Sequence, residues 1–221
     1  MDGSTAVSAE RKKPMPQNMP KLGAVLMTAV IAAWVGAWGT PAFAADAQVV
    51  VTGQTQCWDA SGTSIPCDGT GQDGDIQAGL PYPTPRFKDN GDGTVEDKLT
   101  DLIWLKNANC STISPAVWAT ALSNANSLVD GQCDLSDGSM AGDWRLPNVK
   151  ELQSLIDFGN ISPALPTGHP FLNVQSAGYW SSTSFAGNPV VAWGVFLLDG
   201  RTFVGFKGAT LLVWPVRGGI E

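Results

Sequence analysis

The chain has 221 residues, is 43% hydrophobic and carries 13 basic against 20 acidic side chains, which gives a formal net charge of -7. This length suits one domain of ordinary size with a short leader. The acidic balance disfavours nucleic acid and anionic membrane surfaces as partners, because both would repel the protein.

A basic and then apolar segment occupies the N-terminus. Four basic residues between positions 11 and 21 precede an uncharged run at 22–38, and small residues follow at 42–44. This order is typical of a secretory signal peptide, and we expect residues 1–44 to be removed by cleavage after Ala44. An uncleaved membrane anchor is the alternative, although the run is shorter than the ~20 residues that span a bilayer. In both cases the rest of the chain is exported, as a secreted or periplasmic protein.

Cleavage would make the remaining chain more acidic. Residues 1–44 hold four of the 13 basic and two of the 20 acidic residues, so residues 45–221 keep nine against eighteen, a net charge of -9. We therefore expect no nucleic-acid partner, and no membrane contact after signal cleavage.

Four cysteines follow the leader, and an even number in an exported chain indicates disulfides. Three pairings are possible. We favour Cys57 with Cys67 and Cys110 with Cys133, because each pair closes one short loop. A zinc site is the alternative, but the sequence has no Cys-x-x-Cys spacing and one histidine, His169.

Residues 45–85 are rich in Gly, Asp, Thr, Gln and Pro, and we expect a short appendage there. Its cysteines would close a small hairpin around residues 59–62, and a linker would follow. The main domain, 86–221, then opens with two antiparallel turns and a buried strand at 102–105.

The turn at 89–93 is acidic, and its surroundings offer possible calcium ligands in Asp89, Asp92 and Asp97. An EF-hand loop needs oxygen ligands at alternate positions, but Gly91 and Gly93 occupy the third and fifth. A tight turn with glycines at positive φ explains the same residues. We therefore expect no metal.

A first helix is predicted near 115–130. Ser114-Pro115 is typical of a helix N-terminus, with Ser as the N-cap and Pro in the first turn. Apolar residues then repeat at helical spacing from Trp118 to Leu128, and Gly131 would end the helix.

A second helix is predicted near 148–158. Asn148 and Glu151 have the spacing of a capping box, and Gly159 would end the helix. Trp144 and Leu146 alternate with polar neighbours just before it, as in a half-buried strand, so we expect Trp144 to be buried.

The stretch 142–152, Gly-Asp-Trp-Arg-Leu-Pro-Asn-Val-Lys-Glu-Leu, resembles the hallmark of the Lcl C-terminal domain family, named after a bacterial collagen-like adhesin. Further matching stretches lie at 87–95, 102–104, 178–183 and 213–217. Asp101 stands where the family pattern usually has Gly. The family is similar in fold to C-type lectins. The resemblance implies a secreted α+β recognition domain with two helices packed on a mainly antiparallel sheet, but it implies no particular ligand or reaction.

The last third is strand-rich, and 190–198 is expected at a sheet centre because apolar residues cover both faces. In a lectin-like fold the recognition loops lie at the sheet's variable edge, here 185–189 and 199–207. A solvated hairpin is the alternative. Arg201 and Lys207 could also form one basic spot for an anionic polymer. The five side chains expected to line the ligand site are Phe185, Asn188, Asp199, Arg201 and Lys207.

We expect an exported, non-enzymatic adhesion or recognition domain, without cofactor, that binds a glycan, a surface polymer or a protein. The Glu-Pro-Asn, Gln-Pro-Asp and Trp-Asn-Asp triplets of calcium-dependent lectins are absent from the sequence. A lectin-fold enzyme is one alternative, but the related sulfatase-modifying oxygenases use a C-terminal cysteine pair and this chain has no cysteine after Cys133. No nucleophile motif accompanies His169, which we expect to be a hydrogen-bonding structural residue. A structural cell-envelope component is the other alternative.

Overall fold

Residues 49–218 are described by a computed structural model of the protein. The predicted signal segment and its cleavage site lie outside the described residues. Within 49–218, no helix is long and apolar enough to cross a membrane.

Short strands and a few helices make up the fold, and every pairing between two named strands is antiparallel. The prediction of an α+β fold with mainly antiparallel sheets is confirmed. The helices are α1 (Asp73–Ile76), α2 (Trp118–Asn126) and α3 (Val149–Ser154). The strands are β1 (Cys57–Trp58), β2 (Ser64–Ile65), β3 (Phe87–Asp89), β4 (Thr94–Asp97), β5 (Leu102–Leu105), β6 (Ala116–Val117), β7 (Gly178–Ser184), β8 (Val191–Phe196), β9 (Thr202–Phe206), β10 (Thr210–Leu211) and β11 (Val216–Gly218).

Two sheets carry most of the strands. A four-stranded sheet has the order β11-β5-β4-β3, so the first and last strands of the domain share one sheet. A three-stranded sheet has the order β7-β8-β9, and β8 is its centre, as the two-sided apolar pattern predicted. The short ribbon β6-β10 joins the start of α2 to the chain after β9.

Helix α2 starts later and ends earlier than predicted. Ser114 does not cap it, because the Ser114 hydroxyl accepts the Val213 N–H at 3.1 Å. Ala116 and Val117 form β6, so the helix begins at Trp118, and its N-cap Val117 supplies no side-chain bond. It ends at Asn126 and not at Gly131.

Helix α3 has the predicted start and a different end. The Asn148 side chain accepts N–H bonds from Lys150 and Glu151, and the Glu151 carboxylate accepts the Asn148 N–H, which completes the capping box. The helix stops at Ser154. Beyond it the Asp157 N–H donates to the Ala164 carbonyl at 3.0 Å and the Phe158 N–H to the Thr52 carbonyl at 2.8 Å, so the chain there is no longer helical.

Gly159 is therefore not a helix terminator. Its backbone lies against Gly53, and a Cβ added at Gly159 would sit 2.5 Å from the Gly53 carbonyl oxygen. The N-terminal segment thus packs directly on the turn after α3. A further bond joins the Tyr82 hydroxyl to the Ile156 carbonyl at 3.2 Å. The segment expected to be an appendage is bonded to the domain.

Four tryptophans lie at the centre of the core with no solvent exposure: Trp104, Trp144, Trp180 and Trp214. Burial of Trp144 was predicted and is confirmed. A buried indole needs an acceptor for its N–H. Three of the four have one within 3.1 Å: the Ser139 hydroxyl for Trp144, the Ala116 carbonyl for Trp180 and the Leu105 carbonyl for Trp214.

Both disulfides have the predicted pairing, Cys57–Cys67 and Cys110–Cys133. The first closes the predicted hairpin β1-β2, whose turn is held by N–H bonds from Ser61 and Thr63 to the Asp59 carboxylate. Disulfides persist in oxidising compartments. The two bridges are therefore consistent with an extracellular or periplasmic location.

Candidate functional site

The five predicted ligand residues do not meet in one place. Phe185, Asn188 and Lys207 lie where β7 ends, β8 begins and β9 ends. Asp199 and Arg201 lie in the β8–β9 turn at the opposite end of the sheet. The five residues of β9 separate Arg201 from Lys207, and six steps of extended chain span about 20 Å. The single basic spot expected from these two residues is therefore not formed.

Lys207 is held in place by neighbouring elements. Its ammonium lies 4.0 Å from the centre of the Trp118 ring and donates to the Ser184 hydroxyl at 2.7 Å. The Trp118 backbone N–H donates to the Lys207 carbonyl at 3.0 Å. Lys207 thus joins β9 to the first residue of α2 and to the end of β7.

Arg201 and Asn188 are exposed, and Asp199 is half-buried. Arg201 lies 3.6 Å from the Asp199 carboxylate, and its guanidinium covers the Phe196 ring at 4.7 Å. Asp199 accepts the Arg201 N–H, and Asn188 accepts the Val190 N–H, both at 3.3 Å. Asn188 and Asp199 therefore shape their own turns.

An apolar surface that the sequence did not single out lies between these two groups. Val204 and Phe206 on β9 are 44% and 69% exposed. Their direct partners on β8 are Trp193 and Val191, so the four side chains share one face of the sheet. The Phe185 ring meets Trp193 edge-on at 5.5 Å. We call Phe185, Trp193, Val204 and Phe206 the apolar patch.

The missed residues had only a weak signal in the sequence. Residues 202–206 read Thr-Phe-Val-Gly-Phe, so a phenylalanine stands in each of the two alternating sets. Phe203 packs over Gly178 and Gly194, whereas Phe206 faces solvent. Alternation alone does not tell these two rings apart.

The carboxylates in and near the acidic turn are bonded to donors of the protein itself. Asp89 pairs with Lys106 at 2.6 Å, and Asp92 accepts the Thr94 hydroxyl at 2.6 Å. Asp97 forms a buried ion pair with Arg86 at 2.8 Å. In residues 49–218, no three His, Cys, Asp or Glu side chains are placed to hold a metal.

His169 packs beside aromatic carbon instead of a polar partner. Its ring centre lies 5.8 Å from that of Phe171, and its buried Nδ1 has no hydrogen-bond partner in the described part of the chain. Burial lowers its pKa. Its backbone N–H donates to the Pro166 carbonyl at 3.3 Å.

Two clefts lie away from the apolar patch. A groove of about 390 Å³ beside β10 is uncharged, lined by the amides Asn109 and Gln175 together with Pro115, Ala177, Gly178, Thr210, Leu211 and Leu212. A smaller cleft of about 220 Å³ lies between the N-terminal segment and the turn after α3. Its carboxylates accept bonds from the chain itself, Asp73 from the Thr52 hydroxyl and Asp157 from the Gly159 N–H.

Comparison with known proteins gives a family and no named relative. A search of curated proteins found no match. The family model described as the Lcl C-terminal domain matches residues 93–217. These residues run from the turn before β4 to β11, and they include both large sheets except β3 and the end of β11. Because the match covers more than half of the 221 residues, the chain belongs to the Lcl C-terminal domain family.

Proposed function

We propose that this protein is an exported recognition domain that binds its partner through the apolar patch and catalyses no reaction. The observation that carries the proposal is the exposure of Phe206 and Val204 beside two further aromatic rings. Exposed apolar residues that form a contiguous patch mark interaction sites, whereas scattered ones need no explanation. Aromatic residues are also enriched where proteins bind one another.

A C-type-lectin-like fold belongs to the same proposal. An α+β domain with mainly antiparallel sheets is compatible with it, and the recognition surface of such a fold lies on exposed strands and loops. The apolar patch occupies this kind of position, at the edge of β7-β8-β9. Export through the N-terminal segment is supported by the two disulfides.

The apolar patch is uncharged, which favours a ligand that binds by burial of apolar surface over one that binds by charge attraction. Its four members carry no charge, and the nearest basic residues, Arg201 and Lys207, lie at opposite ends of β9. Binding driven by apolar burial changes little with salt, whereas binding of an anionic polymer weakens as salt rises. The salt dependence of a ligand therefore reports how much charge attraction contributes to its binding.

The test is binding of the purified protein to an array of glycans, anionic polymers and proteins. The variant Val204→Ser/Phe206→Ser removes the exposed part of the patch. Met140→Ser/Ile161→Ser is the matched control, because these residues are 70% and 76% exposed and lie outside the strands. We expect the first variant to lose at least tenfold in affinity for any array ligand and the control to keep it. Equal binding by both variants would contradict the proposal.

A further inference from the structure

Strand β9 lies at the edge of its sheet, and the bonds at its two ends fix how its backbone is oriented. The Phe196 N–H donates to the Arg201 carbonyl at 2.9 Å, just before β9. The Lys207 N–H donates to the Val190 carbonyl at 3.0 Å, just after it. Bonded and non-bonded pairs alternate along an antiparallel ladder. The register between these ends is unbroken, so the orientation of every residue of β9 follows.

The alternation divides β9 into inner and outer residues. Phe203 and Gly205 exchange bonds with β8. Thr202, Val204 and Phe206 point their N–H and C=O groups away from β8, toward the open edge. Within residues 49–218, the one bond made by these outer groups is from the Ala209 N–H to the Phe206 carbonyl. The same three residues also have the exposed side chains of the strand.

Open edges of this kind are usually protected. Natural proteins place inward-pointing charges, prolines or bulges on exposed edge strands, because an unpaired edge recruits other strands. Strand β9 contains no charged residue and no proline, and its pairing with β8 has no bulge. Its outer residues instead include two members of the apolar patch. An unprotected edge next to an apolar surface is the arrangement used for recognition by strand addition.

We infer that the outer edge of β9 binds an extended segment of a partner protein, which adds to the β7-β8-β9 sheet as a fourth strand. This inference rests on the proposed recognition function and specifies its ligand. Backbone bonds to Thr202, Val204 and Phe206 supply the pairing. Alternate apolar side chains of the added strand pack beside Val204 and Phe206 on the shared face.

The charges at the two ends of β9 argue for a partner different from this chain. An antiparallel pairing of β9 with a second copy, centred on Val204, would place Arg201 of one copy beside Lys207 of the other at both ends. Like charges directly opposite each other destabilise such a pair. Lys207 has no acidic partner among the described residues, and Arg201 has one exposed pair with Asp199, which is a weak interaction. A segment with carboxylates at both ends complements these two cations.

The probe is a capped peptide of this chemistry, Glu-Glu-Val-Thr-Val-Thr-Val-Glu-Glu, titrated into the isotopically labelled protein while backbone amide signals are recorded by NMR. We expect the amides of Thr202, Val204 and Phe206 to shift most. The amides of Phe203 and Gly205 point toward β8 and serve as internal controls, with smaller shifts. Absence of shifts at the three outer amides at millimolar peptide would overturn the inference.

Two variants separate backbone pairing from side-chain packing. Val204→Pro removes one outward N–H and leaves the bonds to β8, since proline is tolerated on the open side of an edge strand. Val204→Ile keeps both the N–H and an apolar side chain. We expect at least a tenfold loss of peptide affinity for Val204→Pro and less than a threefold change for Val204→Ile. If Val204→Pro fails to fold, Val204→Lys tests strand addition by a different route, because a charged edge residue blocks it while the backbone N–H is kept.

Further measurements distinguish an acidic partner segment from a second copy of this chain. The same peptide with lysine ends should bind at least tenfold more weakly at low salt, and equal binding would overturn the acidic partner. Measurement of molecular mass in solution, with and without Val204→Lys, tests the second copy: a dimer that this variant dissociates would overturn the inference. Array binding that depends on Phe206 but survives Val204→Pro would leave the proposed function standing and refute strand addition.

Discussion

Arg86 and Asp97 form a two-pronged ion pair inside the four-stranded sheet, with distances of 3.0 Å from Nε to Oδ1 and 2.8 Å from Nη2 to Oδ2. Their side chains are 4% and 0% exposed. Arg86 also donates to the Ser154 carbonyl at the end of α3, and Asp97 accepts the Leu99 N–H. The pair therefore ties β4 and its following turn to α3.

Arg86→Met should destabilise the protein by about 3–5 kcal/mol, because Asp97 would remain as an uncompensated buried charge. Adding Asp97→Leu removes that charge, so the double variant should lose less than Arg86→Met alone. Urea denaturation of Arg86→Met, Asp97→Leu and the double variant gives the three free energies of unfolding. A double variant that loses the sum of the two single losses would show that the partners do not interact.

The second prediction concerns the helix cap. Asn148→Ala should cost about 1 kcal/mol, because the first N–H groups of α3 lose their acceptor. Asn148→Ser is the matched control and should recover most of the stability. Thermal unfolding of the three proteins provides the measurement. We expect no change in ligand affinity, and a loss of binding at full stability would instead place Asn148 in a binding site.

The cap also shows why some elements were predictable and others were not. A capping box needs residues three positions apart, so the sequence contains all of its information. Ser114 had an equally good local signal, but its hydroxyl binds the Val213 N–H, from almost a hundred positions away. Likewise, the predicted helix does not extend to Phe158, whose N–H bonds to the distant Thr52 carbonyl. These outcomes depend on long-range contacts that a local pattern does not contain.

The candidate site was predictable to the same limited extent. Asn188 and Arg201, from the two segments expected to carry the recognition loops, are exposed. The predicted ligand residues form two separate groups because of the register between β8 and β9. This register pairs Val191 with Phe206 and so places Lys207 near the start of β8. The sequence alone did not determine this register, because apolar residues occupy both faces of β8 and leave no polar face to orient it.

The third prediction uses Tyr179, one of two tyrosines in the chain. Burial raises the pKa of Tyr179 to about 12, while its hydroxyl oxygen accepts the Gln175 N–H at 2.9 Å. The folded state thus holds the proton more tightly than the unfolded state, whose pKa is 10.0. The raised pKa therefore stabilises the folded state by about 2–3 kcal/mol below pH 10. This stabilisation is lost as the pH rises from 10 to 12.

Urea denaturation at a series of pH values tests this loss, with Tyr179→Phe as the comparison. The variant should be less stable at neutral pH but should lose less on passing from pH 10 to pH 12. Some pH dependence should remain, because burial also raises the pKa of Tyr82. Identical pH profiles for the two proteins would contradict the raised pKa of Tyr179.

The fourth prediction concerns Asp101, where the family pattern usually has glycine. Its φ is 57°, in the left-handed region, and its N–H donates to the Asp97 carbonyl at 2.8 Å. Aspartate tolerates this conformation better than most residues. Asp101→Gly should therefore change stability by less than about 0.5 kcal/mol, whereas Asp101→Val should cost about 1–2 kcal/mol. Equal stability of the two variants in thermal unfolding would rule out a conformational requirement at this turn.

The last prediction compares Lys207 with Arg201, the two cations at the ends of β9. Lys207→Ala removes the contact with the Trp118 ring and the bond to Ser184, and it should cost about 1 kcal/mol. Arg201→Ala removes an exposed pair and an exposed contact with the Phe196 ring, in which the arginine side chain is 61% exposed, and it should cost about 0.5 kcal/mol. Urea denaturation at low and high salt distinguishes the two. High salt should reduce the cost of the Arg201 change more than that of the Lys207 change, because screening acts on exposed charges. Equal costs with equal salt dependence would show that the Lys207 ammonium is not held against Trp118 in solution.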